Sequence, residues 1–152
     1  MDEVKNFAII LGSLVGLLTL IKAVYEYTKQ SAQKRAEEFF KIDRIFVENK
    51  EFMKLIQLLD DDSEELIDFD IKVKTNFLRF YENVALMINS GLIRKHVAHY
   101  MFSYYALICW DSDKFWESFD REDAYWALFV QFVKDMKAID NNFSFNRKNY
   151  KL

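Results

Sequence analysis

Phe7 to Ile21 reads FAIILGSLVGLLTLI, fifteen consecutive residues without a charge. At about 1.5 Å per residue in a helix, this run covers about 22 Å, short of a hydrocarbon core of roughly 30 Å. Extension to Tyr27 brings the length to about 31 Å and takes in Lys22 and Glu26. A lysine near a helix end extends its ammonium to the headgroups, and Tyr25 and Tyr27 suit the interfacial aromatic belt. The expected membrane span is therefore residues 6–27. A cleaved signal peptide would start basic and end in small residues, whereas this chain begins with Asp2 and Glu3. A soluble core helix usually carries a polar stripe, and an interfacial helix a strongly polar face.

The residues flanking the run predict its orientation. Lys5 precedes it, and Lys29, Lys34, Arg35, Lys41 and Arg44 follow. The bias of basic residues toward the cytoplasmic side places the C-terminal part in the cytoplasm. Lys34 and Arg35 are expected at anionic lipid headgroups. Within the span, Ala8, Gly12, Gly16, Thr19 and Ala23 fall in an arc of about 80° at 100° per residue. Small residues let helix backbones approach closely in lipid, so Ala8, Gly12, Gly16 and Ala23 are candidates for helix packing. Ser13, Thr19, Lys22 and Glu26 are candidates for a pore or gate. The same stripe also suits an anchor with no further role, and a closed bundle as well as a pore.

Outward from the span, composition predicts an all-α chain with one transmembrane helix and a small cytoplasmic helical bundle. Proline is absent and glycine occurs only at positions 12, 16 and 91, which favours long helices with few tight turns. Expected helices cover 28–43, 49–59, a segment through Val73, Phe77, Phe80, Val84 and Met87, 92–110, and 121–138. Phe52, Leu55, Ile56 and Leu59 share one face of the second of these. Asp60-Asp61-Asp62-Ser63 breaks the pattern, and Gly91 stops the third helix. MFSYYALICW is apolar nearly all round, which suits a central helix or a subunit interface. Asp120 is the expected cap of the last helix, whose inner face carries Trp126, Phe129, Val133 and Met136. The domain is expected over 28–138, with a polar tail over 139–152.

Little in the sequence points to catalysis. The net charge of −3 argues against general nucleic-acid binding. Cys109 has no second cysteine to pair with and lies in an apolar run; a nucleophilic thiol needs an electropositive setting. His96 and His99, three apart, lack identifiable partner ligands, so no metal and no cofactor are expected. The acidic 60–70 segment lacks the alternating ligands and turn glycine of a calcium loop. Arg94, Lys95 and His96 begin one helix near Gly91, and with Arg79 they are the candidates for an anionic-ligand pocket. A solvated basic surface is the simpler reading of the same four residues.

The stretch Phe77–Ile93, FLRFYENVALMINSGLI, with Tyr81, Glu82, Val84 and Ala85 followed by Gly91, resembles a bacterial single-pass membrane protein family of unknown function. Its members pair an N-terminal membrane helix with a short helical cytoplasmic domain. The architecture is also similar to the small membrane effectors of bacterial phage defence, among them the channel effector of the Hailong system. That resemblance implies a homo-oligomeric channel held inactive by a nucleotide or DNA-oligomer ligand from a partner nucleotidyltransferase, and no enzymatic activity. The expected function is an oligomeric inner-membrane effector forming a ligand-gated ion-conducting pore. The alternative is a membrane-tethered adaptor recruiting a protein through the 92–110 or 121–138 helix.

Overall fold

The computed structural model describes residues 2–142, 146, 149 and 150, with side chains at 5–7 and from 11 onward. Its regular structure is helical: α1 (Asp2–Glu48), α2 (Lys50–Asp60), α3 (Ile71–Asn89), α4 (Lys95–Asp111), α5 (Asp113–Trp116) and α6 (Ala127–Asp140), with 3₁₀ turns at Glu64–Leu66 and Ala124–Trp126. The described residues divide into two compact units, one ending at Glu38 and the other beginning at Phe39.

The described residues of the first unit are all helical. α1 is long and apolar enough to cross a membrane, with a mean hydropathy of 2.3 over its best 18-residue window, none of it buried by the protein itself. The helix expected over 28–43 is part of α1, which continues to Glu48. No proline or glycine follows Gly16 within it, so nothing in the chain interrupts the backbone ladder.

Helix ends in the second unit follow local chemistry. The Asn49 side chain accepts the backbone N–H groups of Glu51 and Phe52 and starts α2. Asp70 accepts from Lys72 and starts α3, and Ser112 accepts from Phe115 and starts α5. Gly91 ends α3 at φ 72°. The Gly91 N–H reaches the Ile88 carbonyl and the Leu92 N–H the Met87 carbonyl, the paired closure in which glycine takes the left-handed position without a Cβ penalty.

α6 packs on α3 and α4, and α2 on the same two helices. The core is dense in aromatic rings. Phe46, in the last turns of α1, meets Phe52, Phe77, Phe80, Tyr81, Phe102 and Tyr105 at centroid separations of 4.8–6.2 Å. Phe52, Leu55, Ile56 and Leu59 are buried from α2, as are Val73, Phe77, Phe80 and Val84 from α3, and Phe129, Val133 and Met136 from α6.

One expectation needs revision. The last helix starts at Ala127 rather than near Arg121. Asp120 and Asp123 bind the N–H groups two residues on, and such turns divert the backbone from the helical path. The helix rich in apolar residues, α4, is exposed at Tyr100 and Tyr104, by 70% and 62%, which suits the expected subunit interface better than a fully enclosed position. One side of it faces the core through Val97, Ala98, Phe102, Ala106 and Cys109.

Candidate functional site

The small-residue stripe lies on the unburied part of α1. A Cβ placed on Gly12 or Gly16 would meet nothing within 4 Å, so neither glycine is required by packing within the chain. Ala23 and Ser13 are exposed, while the side chain of Ala8 lies outside the described residues. The Thr19 hydroxyl donates to the Val15 carbonyl at 2.8 Å, which satisfies it within its own helix. Lys22 and Glu26 approach to 3.8 Å. Opposite charges one turn apart reduce the cost of carrying both beside the apolar run.

The four basic candidates of the second unit are differently engaged. Arg94 is the N-cap of α4 and makes no side-chain cap there. Lys95 pairs with Asp135 of α6 at 2.9 Å, and the His96 ring lies 6.1 Å from that of Tyr150. Arg79 is exposed on α3 and lends its charge to Glu82. Lys95 therefore already serves a carboxylate of this chain. An open groove is lined by Leu59, Asp62, Tyr104, Leu107, Ile108, Asp111 and Ser112, with none of the four basic residues among them.

Glu82, at the centre of the stretch that carries the resemblance, has a structural task. α6 has no side-chain cap of its own, and the backbone N–H groups of Phe129 and Leu128 favour the charged form of the Glu82 carboxyl, which sets Glu82 beside the start of α6. These are orphan donors of the first turn of α6. Burial holds the Glu82 carboxyl above its ordinary value, against the opposing effect of those two N–H groups and Arg79. A raised carboxyl binds its proton more tightly folded than unfolded, so this group's contribution to stability falls as pH rises from the ordinary value through the folded one. Glu82→Ala is expected to cost about 1 kcal/mol in guanidinium unfolding. Glu82→Gln should keep most of the cap and flatten that part of the pH profile. Equal loss in both variants would rule out the capping role.

No protein-family model, curated protein or solved structure matches this chain.

The core holds polar groups that periodicity alone did not single out. Lys74 is fully buried, with its Nζ 3.4 Å from the Ile67 carbonyl and 5.5 and 5.9 Å from the ring centres of Phe115 and Phe119. Burial lowers its pKa, and the Asp68 carboxylate opposes that shift. Its spacing of three from Phe77 and seven from Tyr81 was the available signal, since it shares their helix face. Burial pushes the Cys109 thiol well up, which keeps it protonated and a poor nucleophile. His99 is also buried, with Nε2 2.6 Å from Asp140. That pair joins α4 to the end of α6.

Proposed function

We propose that this protein is a single-pass inner-membrane effector of bacterial antiphage defence, with its C-terminal unit in the cytoplasm. Copies assemble through the α1 stripe of Gly12, Gly16 and Ala23, and the assembly opens an ion-conducting path. Ser13, Thr19, Lys22 and Glu26 line or gate that path. The cytoplasmic unit holds the subunits and senses a nucleotide-type ligand, with Arg79, Arg94, Lys95 and His96 as the candidate contacts. The single observation carrying this reading is an apolar 18-residue stretch of α1 that its own chain leaves unburied, with two glycines open to close approach. The excess of basic residues after the span supports the orientation, and the likeness of the architecture to phage-defence effectors supports the role.

Planar-bilayer recording of the purified full chain tests conduction. Discrete currents are expected, and Gly16→Leu is expected to abolish them while lowering the subunit number read by native mass spectrometry. A Leu side chain in place of hydrogen holds two backbones apart where close approach drives association. A silent wild-type oligomer, or unchanged assembly of Gly16→Leu, overturns the respective part of the reading. The adaptor reading has one observation in its favour, the exposed Tyr100 and Tyr104 on α4. It predicts no conductance and loss of one protein partner on Tyr100→Ser/Tyr104→Ser substitution.

A further inference from the structure

The stretch from Thr28 to Ala36 carries Lys29, Lys34 and Arg35 and no acidic residue. It lies within the first unit and follows the exposed Tyr25 and Tyr27. Lys29 and Lys34 are exposed and Arg35 is half-buried. From the geometry we infer that these three residues form a binding collar for anionic phospholipid headgroups. The inference rests on the proposed membrane placement and specifies which lipids the site takes.

Three arguments favour lipid over a protein partner. At 100° per residue, Lys34 stands about 140° from Lys29, and Arg35 a further 100° on, so the three charges encircle the helix. A protein docking on one side would reach at most two of them, whereas a headgroup layer surrounds the helix. Side chains of a helix lean toward its N-terminus, which on this placement is toward the membrane. Arg35 shows that lean, its Nη1 donating to Ser31 Oγ at 2.9 Å, one turn back. Depth also fits. With the span ending at Tyr27, Lys29 falls about 3 Å and Arg35 about 12 Å beyond it. The headgroup layer is roughly 5–7 Å thick on each side, and a Debye length adds about 8 Å.

Each basic residue near an anionic surface contributes on the order of 1 kcal/mol. The test is native mass spectrometry of the full chain, released from micelles containing equal amounts of phosphatidylglycerol and phosphatidylcholine. Phosphatidylglycerol adducts should exceed phosphatidylcholine adducts by about tenfold or more. Lys29→Gln/Lys34→Gln/Arg35→Gln should bring the ratio to near one. Lys54→Gln, which removes an exposed charge from α2, should leave it unchanged. A wild-type ratio near one, selectivity surviving in the triple variant, or selectivity lost on Lys54→Gln overturns the collar while leaving the membrane placement standing. A chain that stays soluble without detergent and keeps neither lipid overturns both.

Discussion

Phe46→Ala should lower the unfolding free energy of the second unit by about 3–5 kcal/mol, the range for truncating a large aromatic in a packed core. The loss is a large fraction of the roughly 5–15 kcal/mol that holds a domain folded. Phe46 is 5% exposed and joins rings from α2, α3 and α4, with Phe80 the nearest at 4.8 Å. Ring pairs of this kind add about 0.5–1.5 kcal/mol beyond area burial, and a cavity among side chains from separate helices closes poorly. Phe40 provides the control. It lies on the same helix but is 60% exposed, so Phe40→Ala should stay within about 0.5 kcal/mol of wild type. Guanidinium unfolding of the full chain in detergent, read by tryptophan fluorescence, measures both. All three tryptophans belong to the second unit. Equal effects of the two substitutions would show that Phe46 is not a core residue.

The second large effect concerns the span. Leu14→Arg/Leu17→Arg should move the protein out of carbonate-washed membranes. Arginine at the centre of a membrane helix costs about 2.5–3.5 kcal/mol on the insertion scale, so two cost about 5–7 kcal/mol. Leu14 and Leu17 lie near the middle of residues 6–27, too far from either interface for full relief by snorkelling. Both are about half exposed in α1, as lipid-facing positions would be. The conservative pair Leu14→Ile/Leu17→Ile should remain in the membrane fraction. Retention of the double-arginine protein after carbonate washing would mean that this helix is not the anchor.

Much of the helix order was legible because it depends on neighbours in the chain. The inner faces of α2 and α3 follow from Phe52, Leu55, Ile56 and Leu59 and from Val73, Phe77, Phe80 and Val84 at helical spacing. Phe39, Ile42 and Phe46 show the same spacing, yet the charges between them hid an inner face that continues to the end of α1. Charged residues on the outward side of a helix carry no information about its inward side. The start of α6 was misplaced for a different reason. The acids at 120–123 read as a cap, but their side chains close separate turns. The cationic quartet was legible only as a cluster in sequence, since the carboxylate that pairs with Lys95 lies on another helix.

By itself, the sequence determined the apolar run of residues 7–21, its Lys22–Glu26 extension, the Gly12/Gly16 stripe and the stop at Gly91. Each depends on hydropathy, spacing or backbone freedom within a few residues. Only the tertiary structure decided that Glu82 of α3 stands beside the first N–H groups of α6, that Phe46 is a centre of the ring cluster, and that Lys74 lies among Phe115, Phe119 and the Ile67 carbonyl. Glu82 and the start of α6, Phe46 and its ring partners on α3 and α4, and Lys74 and its two rings lie more than thirty residues apart. A donor, a ring or a charge at that separation acquires its partner when the helices pack, and no local pattern announces it.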